Sequence, residues 1–378
     1  MKTRIFRIVI VVAVIVGVGY AFRGPLIRLF FGSQAPPASQ QGLTLSQVSD
    51  ADPTVVAEGL DVPWDLAWLP EGDLLFTERP GRLVRIDPDG ARRSFAIEGV
   101  REAGEGGLLG LALHPEFETN RWLYVYYTYE GDDGLTNRVE RYRLDDDGPA
   151  DRTLIIDGIP GNFYHDGGCL EFGPDGYLYI TTGDAGGSSR SQDRGSLAGK
   201  ILRLAPDGSV PDGNPFGTAV YSYGHRNAQG LAWDADGRLW STEHGRSGVA
   251  SGYDELNVVE AGANYGWPEI QGDETAAGMR APVVHSGPDY TWAPGGAAYW
   301  EGRVFFGGLR GEALYEARPL RRGAIQVHAH FHGEFGRIRA VRIGPDGMLY
   351  FTTSNRDGRG RVREGDDKLV RVDPAIFR

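Results

Sequence analysis

Four segments concentrate the residue types that do chemistry. GNFYHDGGCLEFGPDG (161–176) sets His165 and Asp166 against Gly167 and Gly168, just ahead of an alternating apolar run. Glycines there let a ligand approach the backbone, and imidazole is the usual general base near neutral pH. An exposed loop histidine is the competing reading. SYGHRNAQGLAW (222–233) carries Arg226 and Asn227. A guanidinium presents a planar fork of donors suited to a carboxylate or a developing oxyanion, or pairs structurally with an acid. STEHGRSG (241–248), followed by YDELN (253–257) and GANYGWPE (262–269), is rich in the backbone carbonyls and hard oxygens that Ca²⁺ selects; a solvated acidic loop has the same composition. GEFGRIRAVRIGPDG (333–347) places Arg337 and Arg339 two apart, on one face of a strand. Two cations on one face of an acidic protein call for an anionic ligand, unless both are simply exposed, and Arg310 in FFGGLRGE (305–312) is available to join them. Taken together the segments describe one base, several arginines and a calcium site. A polyanionic cofactor that needs Ca²⁺ satisfies all of them.

These loops become neighbours only if the fold gathers them. A repeat does so: an apolar pair, a Pro/Asp/Gly turn, then an alternating strand ending in Thr or small residues. It occurs at 67–78, 173–184, 232–243 and 344–355, with looser copies at 112–128 and 298–309. Each copy reads as a hairpin, since Asp-Gly or Glu-Gly supplies the positive φ of a tight turn, and runs such as Tyr177 to Ile180 alternate. Strands of the type RLVRIDPDG (82–90), KILRLAPDG (200–208) and KLVRVDP (368–374) follow several copies. Six units of about four strands predict an all-β, six-bladed β-propeller over 51–378. A β-sandwich is the alternative. In a propeller, loops on one face converge on the central channel.

Composition agrees. The chain has 378 residues, 41% of them hydrophobic, with 56 Gly and 22 Pro, as suits an all-β fold dense in turns. The net charge is −12, and the first 35 residues hold five cations and no acid, so the remainder is more acidic still. Phosphate backbones are repelled by such a surface, which excludes a nucleic-acid binder. The single cysteine, Cys169, excludes an intrachain disulfide. Lys2, Arg4 and Arg7 precede the uncharged run Ile8 to Phe22, a basic n-region and apolar h-region of an export signal. No lipobox cysteine follows, and Pro36 after Ser33-Gln34-Ala35 disfavours cleavage, so residues 1–31 read as an N-terminal apolar anchor, with a cleaved signal segment as the alternative, 32–50 as a linker, and the propeller as periplasmic or extracytoplasmic.

The order of motifs resembles the soluble quinoprotein glucose dehydrogenases, and especially their aldose sugar dehydrogenase branch. GLDVPWDLAW (59–68), GEGGLLGLALHPEF (104–117), YHDGG (164–168), TTGD (181–184), GHRNAQGLAW (224–233), TEHG (242–245), NYGWP (264–268), GGLRG (307–311) and GRIRAV (336–341) carry the likeness from about Glu58 to about Pro374. The resemblance implies pyrroloquinoline quinone (PQQ) and Ca²⁺ as cofactors, an aldose as substrate and an external electron acceptor. It implies His165 as the base at the sugar C1 hydroxyl, Asp184 as the acid holding it, and Arg226 over the reacting carbonyl with Asn227 beside it. Arg337 and Arg339 would partner the PQQ carboxylates, with Arg310 where the family often has lysine. The carbonyls of Gly245 and Arg246 would bind Ca²⁺, and a second Ca²⁺ would lie near Glu255, Asn264 and Tyr265. Glu105 stands where the glucose dehydrogenases carry glutamine, as a sugar or cofactor contact, Tyr164 replaces an acid before the base, and Arg246 replaces a proline. Two rivals remain: a calcium-dependent propeller lactonase, with carboxylate and Asn ligands in the channel, and a non-enzymatic binding propeller.

Overall fold

The computed structural model describes residues 43–45, 53–247, 252–320 and 324–377. The expected anchor over 1–31 lies outside them, as does most of the 32–50 linker. Among the described residues no helix is long and apolar enough to cross a membrane.

Six sheets, antiparallel but for one added edge strand, stand around a common axis. Their innermost strands are Pro63–Trp68, Leu108–Leu113, Leu170–Phe172, Ala228–Trp233, Pro294–Trp300 and Ile338–Ile343, opening blades 1 to 6 in chain order. Each touches the next, and the sixth touches the first, so the ring closes. The outermost strand of blade 6 is Thr54–Ala57, from the other end of the described domain, paired antiparallel with Leu369–Val372. Leu43–Leu45, inside the segment read as linker, runs parallel to Ile325–His330 as a fifth strand on blade 5.

All six copies of the repeat fall at one place, the hairpin joining the first and second strands of a blade. The strands that follow them, such as Arg82–Ile86, Lys200–Leu204 and Leu369–Val372, are third strands. At the Asp-Gly turns Gly176 and Gly347 adopt φ of 77° and 75°, a region that costs a residue with a Cβ.

Each sheet is covered on both sides by its neighbours, so second strands such as Leu74–Glu78 and Leu239–Glu243 are buried along their whole length. The core therefore lies between blades. Tyr126 packs with Leu178 and Leu231 in one cluster, and Trp240 with Phe306 and Tyr315 in another. The recurrent threonines have a cause in the same place. The hydroxyls of Thr77, Thr242 and Thr352 donate to the carbonyls of Leu109, Gly295 and Pro63, each on the innermost strand of the following blade. A hydroxyl at the end of the second strand meets a carbonyl that the neighbouring sheet leaves unpaired.

In a four-stranded up-and-down blade, the loop between strands two and three and the link to the next blade leave from the same face. Most of the segments singled out for chemistry occupy those two kinds of connection; GANYGWPE (262–269) instead lies between the third and fourth strands of blade 4, Glu255–Val259 and Val284–His285.

Candidate active site

His165 lies in the link between Gly148–Pro160 and Leu170–Phe172, and Asp184 in the loop that follows Leu178–Thr181. The two loops pass very close. A Cβ on Gly183 would sit 1.9 Å from the His165 carbonyl, and one on Gly167, at φ 67°, would sit 2.6 Å from the Thr181 carbonyl. Only glycine admits that approach.

The approach sets a hydrogen bond of 2.7 Å between His165 Nδ1 and Asp184 Oδ1. A carboxylate only accepts, so Nδ1 carries the proton and Nε2 is left as the basic atom of the neutral ring. Asp184 is fixed in turn by the Gly186 N–H on Oδ1 (2.8 Å) and the Trp267 indole N–H on Oδ2 (2.9 Å). Burial pushes its carboxyl up, but His165 and these two donors outweigh burial and hold it below the ordinary value. Asp184 is therefore ionised and orients the imidazole.

His165 forms part of the wall of a half-open cavity, together with Glu105, Gly245, Arg246, Arg310 and Arg337. Six of the ten expected site residues thus share one space. Of the other four, Asp184 stands behind His165. Arg226 borders a smaller adjoining cavity. Its guanidinium donates to Ser247 Oγ (2.9 Å) and the His244 carbonyl (3.4 Å) and stands 5.3 Å from the Trp267 ring centre. Asn227 accepts the Gly167 N–H at 3.0 Å and leaves Nδ2 buried with no partner among the described residues. Arg339 lies deeper, against Ser354 and Gln229.

The arginine pair departs from the strand expectation in one respect. Arg337 precedes the strand, which begins at Ile338, and the two side chains share a buried anion of the protein's own. Asp357 takes Arg337 at 2.8 Å and stands 3.9 Å from Arg339. Burial pulls the Arg339 pKa down to about 10, with Arg79 and Arg337 adding to it against the opposing pull of Asp357. Internal acid thus answers part of the demand for a counter-ion.

Several residues of the site carried no role in the sequence. His244 lines both cavities; its Nε2 is buried with no partner among the described residues, and burial, with Arg226 nearby, lowers its pKa to about 3, so it is neutral. Asp254 holds the 244–247 loop from below, accepting the Gly245 N–H (2.7 Å), the Ala293 N–H (2.8 Å) and the Thr291 hydroxyl. Arg359 and Asp357 come from SNRDGRG (354–360), the loop after the last repeat. That loop has the polar-glycine texture of the others and was open to the same criterion. The residues grouped for a second Ca²⁺ have the following partners. Asn264 is bound to Gln192 and the Gly266 N–H, the Tyr265 hydroxyl donates to the Val258 carbonyl, and Glu255 faces the smaller cavity opposite Glu243.

The glucose/sorbosone dehydrogenase family model matches residues 60–369. The chain belongs to this family. As a sugar dehydrogenase it is an oxidoreductase, and its relatives agree. It is 34% identical over 344 residues to the aldose sugar dehydrogenase YliI of Escherichia coli, covering 80% of this chain and 90% of that one. It is 32% identical over 280 residues to quinoprotein glucose dehydrogenase B of Acinetobacter calcoaceticus, covering 62% and 57%. Among solved structures, the PQQ-bound aldose sugar dehydrogenase of Streptomyces coelicolor superposes with a TM-score of 0.78 at 41% identity, covering 90% of this dehydrogenase and 99% of that chain.

Proposed function

We propose that the protein oxidises aldose sugars at C1 to lactones, with PQQ and Ca²⁺ as cofactors and an external electron acceptor, in an extracytoplasmic compartment. The observation that carries the reading is the His165–Asp184 pair, with Nε2 left basic, beside a cluster of arginines and unmatched donors.

The donor set fits the cofactors. Asn227 Nδ2, Arg246 Nε and His244 Nε2 are buried and, among the described residues, have no partner, an arrangement that protein interiors rarely tolerate without a ligand. Arg246, Arg310 and Arg337 line the same wall and suit the carboxylates of PQQ. The Gly245 and Arg246 carbonyls are hard neutral oxygens of the kind calcium takes, while Asp254 is engaged in holding that loop. When bound, the quinone supplies a two-electron hydride acceptor and the calcium a Lewis acid.

The chain's own part is proton handling and placement. His165 Nε2 takes the C1 hydroxyl proton, the C1 hydrogen leaves with its electron pair, and the ring oxygen and C1 become those of the lactone. Asp184 stabilises the imidazolium that forms. Arg226, buried against Trp267, Ser247 and the His244 carbonyl, would stabilise the developing negative charge. A lactonase needs carboxylates free to bind metal. Here Glu105, Asp184, Asp254 and Asp357 are each engaged by guanidinium, hydroxyl or N–H donors. The test is to add PQQ and Ca²⁺ to the apoprotein and follow dye reduction with a panel of aldoses. Aldose-dependent reduction is expected; failure with every sugar, together with no bound-quinone spectrum, refutes the proposal.

A further inference from the structure

We propose that Glu105 and Arg359 form a positioning pair that fixes the His165 loop at the cavity and balances charge around the base. The inference rests on His165 being that base.

His165 adopts φ 64°, a left-handed conformation unfavourable to a residue with a Cβ. Something must hold it there. Asp184 grips the ring, and the backbone is gripped from the other side, where Glu105 Oε2 accepts the His165 N–H at 2.9 Å. The Glu105 N–H returns a bond of 3.0 Å to the Phe163 carbonyl, so the turn at 103–106 straps the loop twice. Gly104 makes this contact possible, since a Cβ there would lie 2.1 Å from the Phe163 carbonyl.

The second carboxylate oxygen of Glu105 takes Arg359 at 2.7 Å. Glu105 belongs to the link between blades 1 and 2, and Arg359 to the 354–368 loop of blade 6. The pair thus crosses the channel mouth over blade 1. Arg359 is itself placed by Asp357, which accepts its backbone N–H at 2.9 Å while holding Arg337. Burial opposes ionisation of Glu105, but Arg359 and His165 outweigh it and hold the carboxyl far below its usual range.

The electrostatic consequence is specific. The imidazole faces Asp184 at Nδ1 and Tyr164 at its edge, with Asp166 next in sequence and Glu105, Arg359, His244 and Arg226 around it. An unbalanced Glu105 would favour the imidazolium and deprive the base of its neutral form, and Arg359 cancels that bias. Glu105→Gln and Arg359→Gln should therefore shift the His165 pKa in opposite directions, down and up, each by roughly 0.5–1 unit. Arg359→Lys should leave it near the parent value.

The experiment measures the His165 imidazole pKa in the cofactor-free protein by NMR of labelled histidine, assigned with His165→Gln. Opposite shifts, with Arg359→Lys unchanged, support the pair. Shifts in one direction, or none beyond 0.2 unit, overturn it, as does a Glu105→Gln variant that alters only quinone affinity. In the loaded enzyme, Arg359→Gln should lower kcat about 10-fold with little change in the sugar KM; an effect confined to KM also overturns it. If the parent shows no sugar oxidation the proposed activity fails, yet the NMR result still stands or falls alone.

Discussion

Asp184→Asn tests the reasoning most sharply, because the geometry allows the amide to satisfy only part of what the carboxylate does. Asp184 accepts three N–H groups on two oxygens: His165 and Gly186 on Oδ1, Trp267 on Oδ2. Asparagine has one acceptor. With its oxygen toward His165, its NH₂ faces the Trp267 N–H. Flipped, it faces His165 and favours the tautomer that carries its proton on Nε2, where a base is required. An unmet buried donor costs about 1–3 kcal/mol, and losing a hydrogen bond to a charged group about 1.5–3. At about 1.4 kcal/mol per factor of ten, kcat should fall roughly 10–100-fold. Removing the anion also disfavours imidazolium, so the acid limb of kcat/KM should move to lower pH while the plateau drops. The assay is dye reduction across about pH 5–9 on protein reconstituted with PQQ and Ca²⁺, with bound-quinone absorbance and thermal melting as controls. A variant that binds the quinone, melts like the parent and keeps kcat within twofold refutes the positioning role.

His165→Ala should lower kcat by about 10²–10⁴ with the cofactor still bound, as read by single-turnover quinone reduction. Asp166, next to His165, is buried with one oxygen that has no partner among the described residues, and burial raises its pKa to about 7, partly offset by the N–H donors of Asn137 and Asn162. The native state therefore binds this proton more tightly than the unfolded chain, whose value is about 3.9; stability is greatest below that value and falls as pH rises to about 7. Asp166→Asn should be stabilising at pH 8 by about 2–4 kcal/mol and nearly neutral at pH 4, measured as urea midpoints. Chelating Ca²⁺ should abolish dye reduction, and Ca²⁺ should restore it; turnover that survives exhaustive chelation argues against metal at the Gly245 and Arg246 carbonyls.

Much of the architecture was legible because its signals are local. An Asp-Gly turn after an apolar pair, as at Asp175-Gly176, specifies a hairpin whatever surrounds it, and six such signals count the blades. The two closures were not legible. Thr54–Ala57 and Leu43–Leu45 are short strands with no turn of their own, and each becomes a strand only because an exposed sheet edge offers hydrogen-bonding partners. The site divides in the same way. His165, Arg226 and Arg310 announced themselves as polar residues among glycines. Asp357 and Arg359 have the same texture but gain significance only through Arg337, at the entry to the same blade, and Glu105, in the link between blades 1 and 2.

By itself, the sequence determined the repeat, the identity of the loops that carry chemistry, and the residue types available to a cofactor. Hairpin register and loop composition depend on neighbours within a few residues. What only the tertiary structure decided is which groups are already matched inside the protein. Asp357 partly neutralises Arg337 and Arg339, Trp267 joins Asp184 to Arg226, and Glu105 holds the backbone of His165. Those pairings, with that of Glu105 and Arg359, join residues from about 20 to about 250 positions apart. They exist because closing the ring brings six loops within hydrogen-bond reach of one another, a distance that no local pattern encodes.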